Sequence, residues 1–340
     1  MKGYHIAVVG ATGAAGTELL RVLERRNFPV ASLRPIGSKR SVGKSVRFRE
    51  EPIPVQELGD RSFDQIDIAF FSAGGDISRN YVPIACQSDA IAIDKSSAFR
   101  MDPHVPLVIP EVNADHIKLI DGQSWRKKSG GYVVTNPNCS AIGLVLALAP
   151  LQQRFGLDTV MAVTMQAVSG AGYPGVASLD ILGNVIPYIA KEEEKMEEET
   201  RKLLGQMNGT KVVSATFAMS AQCNRVAVED GHTESVSIRL KRKAKPEEMI
   251  AVWNSFRAEP QELQLPSAPK NPVVYFGAPD RPQPRFDIDI GAGMTTAVGR
   301  LRPCGVLDWK FTVLSHNTIR GAAGAAVLNA ELLKAKGYLG

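Results

Sequence analysis

Near its start the sequence reads Tyr4-His5-Ile6-Ala7-Val8-Val9-Gly10-Ala11-Thr12-Gly13-Ala14-Ala15-Gly16, an apolar run followed by evenly spaced glycines. The run predicts a buried strand, and the pattern of Thr17–Arg26 predicts a helix directly after the glycine turn. This GxxGxxG spacing is typical of dinucleotide binding, because bare backbone lets a pyrophosphate approach the first amides of the helix. A purely structural tight turn is the alternative. The predicted contacts are Gly10, Thr12, Gly13, Ala14, Ala15 and Gly16.

The segment after the second predicted strand, about Val30–Ile36, indicates which dinucleotide is bound. An NAD site usually has a carboxylate here for the ribose 2′-hydroxyl. Gly37-Ser38-Lys39-Arg40-Ser41 has no carboxylate, but its hydroxyls and guanidinium suit a 2′-phosphate. We therefore expect NADP, bound through Ser38, Arg40 and Ser41. The alternative is a basic turn on the surface.

The alternation of strands and helices continues along the first third of the chain. Ile66–Phe71 and Ala90–Asp94 read as strands, with a glycine turn and a helix between them. Right-handed crossovers bring the strand ends to one edge of the sheet, so we expect Ser72, Ala73 and Gly74 beside the nicotinamide half of the cofactor. The pattern predicts an α/β protein with an N-terminal Rossmann-type dinucleotide-binding domain at residues 1–135, completed by a C-terminal helix at 318–340.

The remaining residues, 136–317, read as a C-terminal α+β catalytic and dimerisation domain. We expect an antiparallel sheet and a long irregular loop over the proline-rich Pro260–Pro284. The active site is expected between the two domains. The predicted strands of this sheet are Lys211–Phe217, Glu234–Lys241, Phe286–Ile290, Thr296–Leu301 and Trp309–Ser315.

Composition limits the class of protein. The chain has 340 residues, 44% of them hydrophobic and 22% charged, which predicts a soluble, two-domain globular protein and excludes extensive disorder. Apolar runs fall short of the roughly 20 residues that cross a bilayer, and a strand pattern opens the sequence, so we expect a cytoplasmic protein without a secretion signal or membrane contact. The net charge of +5 is spread along the chain. It favours anionic small molecules over nucleic acid, with an ordinary solvated surface as the alternative.

The segment Asn136-Pro137-Asn138-Cys139-Ser140 carries the strongest chemical signal. It follows a strand and precedes the apolar helix predicted at Ala141–Phe155. The amides and dipole at a helix N-terminus favour a thiolate and can hold an oxyanion, so we expect Cys139 to be a nucleophile. The other cysteines lack the spacing of a disulfide framework or a zinc site, and no metal is expected. These cysteines, expected to be inert, are Cys86, Cys223 and Cys304.

Over nearly its whole length the sequence resembles the aspartate-semialdehyde dehydrogenase family. Asn-Pro-Asn-Cys-Ser and the arginine seven positions before the histidine of Gly-His-Thr-Glu are fairly specific motifs. The other matching landmarks, in the order of the family, are the glycine loop, Ser38–Gly43, Ser96-Ser97-Ala98-Phe99-Arg100, Gln166 with Ser169-Gly170-Ala171-Gly172, and Asn317 with Gly321-Ala322-Ala323.

The resemblance implies a reversible, NADP-dependent conversion of L-aspartyl 4-phosphate to L-aspartate 4-semialdehyde and phosphate, a step toward lysine, threonine and methionine. Thioester chemistry agrees with this reaction, because a thiolate can displace phosphate and leave a carbonyl that accepts hydride. The resemblance also implies a homodimer, and it leaves a tetramer open. The alternatives are N-acetyl-glutamyl-phosphate reductase, which Asn138 and Ser140 disfavour, and a noncatalytic NADP-binding homologue.

The resemblance also implies a role for each site residue. Cys139 would be the nucleophile and His232 the acid/base, for which an ordinary imidazole pKa is suited. Gln166 would orient the acyl group, with Asn138 and the Cys139 amide as oxyanion donors. Which acid of the helix around Glu192–Glu199 contacts substrate is left open by the sequence. The remaining implied contacts are Arg225 for the α-carboxylate, Arg100 for phosphate, Glu199 for the amino group, Lys202 for the phosphate region, and Ser169, Gly170 and Asn317 for the nicotinamide.

Overall fold

The computed structural model describes residues 3–340 and contains two main β-sheets. The first is six-stranded and parallel in every pairing, in the order β5-β2-β1-β6-β7-β8. The strands up to residue 135 are β1 (Tyr4–Val9), β2 (Val30–Gly37), β3 (Ser45–Phe48), β4 (Glu51–Pro54), β5 (Gln56–Glu57), β6 (Ile68–Phe71), β7 (Ile91–Asp94) and β8 (Tyr132–Thr135). The helices are α1 (Ala14–Arg25), α2 (Gly75–Gln87), α3 (Pro110–Asn113) and α4 (Ser124–Lys128), with 3-10 turns at Lys39–Ser41, Asp60–Phe63 and Ala114–Gly122.

Burial on both faces explains the apolar character of the central strands. Every residue of β6 is buried, and β1 is buried from Ile6 to Val9. Such strands read as continuous apolar runs because helices cover both faces of a parallel sheet. The predicted α/β class with a Rossmann-type first domain is confirmed, and the parallel strands direct their carboxyl ends, with the glycine turns, to one edge.

The second main sheet has seven strands in the order β10-β13-β9-β14-β17-β16-β15. Its strands and those of a separate hairpin are β9 (Leu157–Gln166), β10 (Val185–Ile186), β11 (Gln206–Asn208), β12 (Lys211–Val213), β13 (Ala218–Val226), β14 (His232–Leu240), β15 (Val273–Phe276), β16 (Thr296–Pro303) and β17 (Trp309–Ser315). The helices are α5 (Cys139–Phe155), α6 (Ser178–Ile181), α7 (Glu192–Leu203), α8 (Pro246–Ser255), α9 (Glu259–Glu262), α10 (Pro284–Asp287) and α11 (Gly324–Ala335), with a 3-10 turn at Val168–Ala171.

Several predicted elements of this sheet are wrong in detail. The sheet is mixed rather than antiparallel, because β9 pairs in parallel with β13 and β15 pairs in parallel with β16. Only the first three residues of the strand predicted at Lys211–Phe217 form a strand, and they pair with β11 outside the sheet. Where a strand is predicted at Phe286–Ile290, the structure has the end of α10, a helix whose first residue is a proline, followed by a turn. The predicted loop Pro260–Pro284 contains strand β15.

Two helices connect the sheets. Helix α5 is buried over most of its length, which explains why its sequence is apolar on all sides. The last helix begins with a π turn at Ile319–Ala323, and the π turn packs against both α1 and α5. The boundary predicted at residues 135 and 136 stays a prediction, although the strands of the first sheet end at Thr135. Between Gly3 and Gly340, the structure has no helix with the length and apolar character needed to span a membrane.

Candidate active site

A cavity of about 460 Å³ lies where the carboxyl edge of the first sheet meets the ends of β9 and β13. Helix α5 begins in its wall, so residues distant in sequence converge there. The predicted site residues that line it are Ala15, Ser72, Ala73, Arg100, Asn138, Cys139, Gln166, Ser169, Gly170, Arg225 and Asn317. Lys95, Glu192 and Lys195 also line it, and the sequence motifs did not single them out.

The predicted nucleophile and the predicted acid/base are in contact. Cys139 is the first residue of α5 and His232 is the first residue of β14. The Cys139 Sγ lies 3.2 Å from the His232 Nε2. This distance permits a direct hydrogen bond to sulfur, as nucleophilic catalysis requires.

The backbone of a single residue, Ala167, holds the imidazole and the neighbouring guanidinium. The Ala167 N–H donates to His232 Nδ1 at 3.1 Å, while the Ala167 carbonyl accepts from Arg225 Nη1 at 2.7 Å. Because Nδ1 accepts, the neutral imidazole carries its proton on Nε2 and directs it at the Cys139 sulfur. Gly170 packs against both side chains, since a Cβ there would lie 2.9 Å from Arg225 Nη1 and 3.0 Å from His232 Cε1.

The environment of the pair favours its neutral form. Burial, then Arg225 and His316, lower the pKa of His232 to about 3. Burial, then Glu192, raise the pKa of Cys139 to about 12, against the opposing effects of Arg100, Arg225 and the Ser140 amide. The expectation that the helix N-terminus favours a thiolate is wrong for this environment, because the cost of burying a charge outweighs the helix dipole.

Glu192 organises the residues beside the cysteine. Its Oε1 accepts from Asn138 Nδ2 at 2.7 Å and from Gln166 Nε2 at 3.2 Å. Its Oε2 lies 3.5 Å from Lys195 Nζ. Asn138 also caps α5, since its Oδ1 accepts from the amides of Ser140 and Ala141. One carboxylate therefore fixes both amide side chains that were predicted to handle the acyl group.

The geometry of Glu199 and Lys202 does not fit their predicted substrate contacts. Neither residue lines the 460 Å³ cavity. The Glu199 carboxylate accepts from Arg100 Nη1 at 2.8 Å and from the backbone N–H of Asn138 at 2.6 Å. The Lys202 ammonium donates to three backbone carbonyls, those of Arg100, Asp102 and Val105. Both side chains hold the walls of the site in place from behind.

The glycine loop has the shape that a dinucleotide phosphate requires. Gly10 has a φ of +81°, a region that favours glycine, and a Cβ on Gly16 would lie 2.1 Å from the Gly10 carbonyl oxygen. Gly13 is the N-cap of α1 and Gly74 is the N-cap of α2. The loop and the basic 3-10 turn meet, because Thr12 Oγ1 lies 3.2 Å from Ser41 Oγ.

The surroundings of the 3-10 turn are basic and exposed. Ser38 is the N-cap of that turn, and both Ser38 and Arg40 are exposed. A second cavity of about 510 Å³ adjoins Thr12 and is lined by Lys44 and Arg47, which no sequence motif singled out. The carboxylates of Glu24 and Glu50 also line this cavity, and Glu50 pairs with Arg47. The fit to a phosphorylated ribose therefore rests on the 3-10 turn itself, whose residues carry hydroxyls and cations and which meets the glycine loop at Thr12.

Asn317 ties together the elements around the predicted nicotinamide position. Its Oδ1 accepts from the Gly231 amide at 2.8 Å, and its Nδ2 donates to Ser169 Oγ at 2.7 Å. Nδ2 carries a second N–H, and Asn317 lines the cavity, so this side chain has a donor left for a ligand. Among residues 3–340, no group of three or more His, Cys, Asp or Glu side chains has an arrangement that could hold a metal ion.

Comparisons with known proteins show the family to which the chain belongs. The family model of the semialdehyde dehydrogenase NAD-binding domain matches residues 5–120, and that of the dimerisation domain matches residues 148–320. An aspartate-semialdehyde dehydrogenase from Archaeoglobus fulgidus is 44% identical over 342 residues, which cover 97% of this chain and 98% of that protein. The chain belongs to the aspartate-semialdehyde dehydrogenase family. The predicted enzyme class is thereby confirmed.

Solved structures of aspartate-semialdehyde dehydrogenases have the same fold. The enzyme from Candida albicans with NADP has a TM-score of 0.87 and 36% identity, covering 98% of this chain and 99% of that chain. Aspartate semialdehyde dehydrogenase II from Vibrio cholerae, complexed with ASA, has a TM-score of 0.82 and 31% identity, covering 98% of this chain and 99% of that chain.

Proposed function

We propose that this protein catalyses the reversible, NADP-dependent conversion of L-aspartyl 4-phosphate to L-aspartate 4-semialdehyde and phosphate, in lysine, threonine and methionine biosynthesis. The observation that carries the proposal is the 3.2 Å contact between Cys139 Sγ and His232 Nε2 in the wall of the 460 Å³ cavity. A nucleophile with an adjacent imidazole suits acyl transfer through a thioester.

NADP is the cofactor that the described residues fit. The glycine loop leaves room for a pyrophosphate, and the turn at Lys39–Ser41 supplies hydroxyls and cations without a carboxylate. The relative from Candida albicans was solved with NADP. When bound, the reduced cofactor supplies the hydride that converts the thioester to the aldehyde oxidation level. Ser169, Gly170 and Asn317 would contact its nicotinamide end.

The chain's own groups account for acyl transfer. The Cys139 sulfur attacks the acyl carbon and the thiol proton passes to the departing phosphate, so the S–C bond forms while the C–O bond to phosphate breaks and hydrogen phosphate leaves. The Cys139 amide and Asn138 stabilise the developing oxyanion. The Nε2–H of His232 donates a hydrogen bond first to the attacking sulfur and then to the oxygen of the thiohemiacetal. The thiohemiacetal collapses as its C–S bond breaks, which releases the aldehyde, and the Cys139 thiolate takes up a proton from solvent to restore the thiol. Gln166 orients the acyl group.

Cations around the cavity match the two anionic ends of the substrate. Arg225 would bind the α-carboxylate and Arg100 the phosphate, because guanidinium groups form paired hydrogen bonds with such oxyanions. Glu192 would contact the amino group, and Lys195 the phosphate region. These two residues have the same three-residue spacing as Glu199 and Lys202, but they line the cavity.

The working unit of the proposal is a homodimer. The matched dimerisation domain spans residues 148–320 and carries a segment rich in exposed apolar side chains. Contiguous exposed apolar surface is typical of protein interfaces. Sedimentation of the purified protein distinguishes this dimer from a tetramer. The exposed side chains are Tyr173, Leu179, Leu182, Val185 and Tyr188.

The decisive experiment is phosphate-dependent reduction of NADP with L-aspartate 4-semialdehyde, with N-acetylglutamate semialdehyde as the comparison substrate. We expect turnover with the first substrate alone. Cys139→Ala should abolish turnover and leave NADP binding intact, because the sulfur lies apart from the glycine loop. Cys304→Ala is the matched control and should behave as wild type. Wild-type rates in Cys139→Ala would exclude the thioester mechanism.

A further inference from the structure

Lys95 occupies a position that the proposed reaction does not yet use. It follows β7 directly, and its side chain lines the 460 Å³ cavity together with Cys139. The Lys95 Nζ donates to the Ala15 carbonyl at 3.1 Å, and Ala15 lies in the first turn of α1 after the glycine loop. The amine therefore lies between Cys139 and the glycine loop, which is predicted to bind the phosphates of the cofactor.

The hydrogen bonding of this amine is incomplete. A lysine ammonium has three donors, and the single carbonyl of Ala15 is the acceptor found for Lys95 within residues 3–340. Lys202 provides the contrast. Its ammonium donates to three carbonyls behind the cavity wall and is fully satisfied. Lys95 thus keeps donors that can face a ligand.

The carboxylates nearest to Lys95 are committed to other partners. Asp94 accepts from the hydroxyls of Ser78 and Ser96 and from the Ser96 amide. Glu18 forms ion pairs with two arginines of α1. In the described part of the chain, residues 3–340, no carboxylate oxygen lies within 4.0 Å of the Lys95 amine. The cation consequently lacks a counterion from the protein.

The other charged groups of the cavity do not compensate for this. Glu192, the acid in its wall, is already bound to Asn138, Gln166 and Lys195. Burial lowers the pKa of Lys95 to about 7, and the weaker opposing effects come from Asp94 and Glu18. The remaining titratable or charged side chains that face the cavity are Arg100 on the following loop, Cys139 on α5, Lys195 on α7 and Arg225 on β13.

We propose that Lys95 binds a phosphate group, either of the cofactor or of the substrate, and that its amine takes up a proton when this group enters the cavity. An anion favours the charged form of a neighbouring amine and supplies the acceptors that the protein omits. This inference rests on the proposed function, because that function brings both phosphate groups to the cavity. It makes Lys95 a direct sensor of phosphate occupancy.

Calorimetric titration of the full chain tests the proposal. NADP is titrated at about pH 7 in two buffers of different ionisation enthalpy, and inorganic phosphate is then titrated into the NADP complex. Near half-protonation, we expect wild type to take up about half a proton more than Lys95→Met in one of these arms. Lys95→Met should also bind that ligand about tenfold more weakly. Only the difference between proteins counts, because ligand phosphates titrate near neutrality as well.

Two further variants separate charge from structure. Lys95→Arg keeps a permanent cation, so ligand binding should be retained while the extra proton uptake disappears. Lys118→Met removes an exposed lysine of the 3-10 turn at Ala114–Gly122, and its ligand binding and proton uptake should match those of wild type. A Lys95 variant that merely perturbed the fold would weaken binding equally in its methionine and arginine forms.

Each outcome bears on the proposal. Uptake in the NADP arm assigns Lys95 to a cofactor phosphate, and uptake in the phosphate arm assigns it to the substrate phosphate. Equal proton uptake by wild type and Lys95→Met in both arms overturns the proposal. Turnover of L-aspartate 4-semialdehyde by the same preparation tests the proposed function separately. Activity without a proton difference defeats only the Lys95 inference, and a proton difference without activity defeats only the function.

Discussion

Gly321 determines how closely the last helix approaches the nucleophile. It lies in the π turn at Ile319–Ala323, and a Cβ there would lie 2.7 Å from the Cys139 Cβ and 3.0 Å from its Cα. Either Cys139 or the turn must move when a methyl group is added. Because the sulfur is 3.2 Å from His232 Nε2, a shift of this kind acts directly on the pair.

We predict that Gly321→Ala lowers kcat/KM by about tenfold or more, since small displacements of reacting groups have large effects on rate. The rate of alkylation of Cys139 should change in parallel, while NADP binding persists. Gly305→Ala is the control, because a Cβ at that position would have no atom within 4 Å. Full activity in Gly321→Ala would mean that the close contact does not position the sulfur.

The chemistry of the individual site residues was predictable only in part. The convergence of Cys139, His232, Gln166 and Arg225 was expected from the family resemblance, and the structure brings all four to one cavity or its wall. The direction of the Cys139 pKa was not predictable, because it depends on burial and on Glu192. The burial of Cys139 and the position of Glu192 beside it result from tertiary packing, which cannot be inferred from the predicted start of a helix.

At the scale of elements, a buried ion pair joins the last helix to the first domain. Arg320 in the π turn donates to Glu111 in α3 through two hydrogen bonds of 2.9 and 2.6 Å, and both side chains are fully buried. Paired geometry of this kind satisfies both charges, but loss of one partner leaves the other buried and uncompensated.

We predict that Glu111→Gln destabilises the protein by about 3–5 kcal/mol, seen as a marked decrease in Tm, because Arg320 loses its buried counterion. Glu50→Gln is the matched control. Its ion pair with Arg47 is exposed, so the same chemical change should have almost no effect on Tm. A Glu111→Gln protein with wild-type Tm would show that Arg320 finds another acceptor or water.

Helix α7 shows why an element can be predicted while its contacts cannot. Glu192 and Lys195 precede Glu199 and Lys202 by seven residues, which is close to two helical turns. The two pairs therefore share a helix face, and periodicity cannot distinguish them. Their position along the axis decides, because the first turn of α7 reaches the cavity and the later turn packs behind it.

Strand β13 gives the corresponding lesson for the sheet. The predicted strand ends at Phe217, yet the strand of the sheet begins at Ala218 and runs to Val226. The earlier residues Lys211–Val213 are extended in a hairpin. Both segments have strand character, and only pairing with β9 makes one of them central. Local pattern does not contain that long-range choice.

At the scale of the whole molecule, the division into a parallel first sheet and a second sheet was predictable because each has its own sequence pattern. The first sheet alternates apolar strands with helices, and its order follows from right-handed crossovers. The mixed direction of the second sheet was not predictable. Its parallel pairs, β9 with β13 and β15 with β16, join segments separated by long connections that carry no directional signal.

Glu234 links the folding stability of the whole molecule to pH. It lies on β14 two residues after His232, is fully buried, and neither carboxyl oxygen has a hydrogen-bond partner within residues 3–340. Burial raises its pKa well above the ordinary value. The folded protein therefore keeps this proton at pH values where the unfolded chain releases it.

We predict that Glu234→Gln flattens the dependence of stability on pH. For wild type, folding must retain a proton that the unfolded chain loses above about pH 4.5, so stability falls by roughly 1.4 kcal/mol per pH unit until the folded pKa is reached. Glutamine has a similar shape and does not titrate. Melting curves should give similar Tm values at about pH 5 and a higher Tm for the variant at about pH 8.

Glu229→Gln, a change three residues before the start of β14, controls for the loss of a carboxylate. If the Tm difference between Glu234→Gln and wild type stayed constant across this range, Glu234 would have to be ionised in the folded protein, which its burial without a partner opposes.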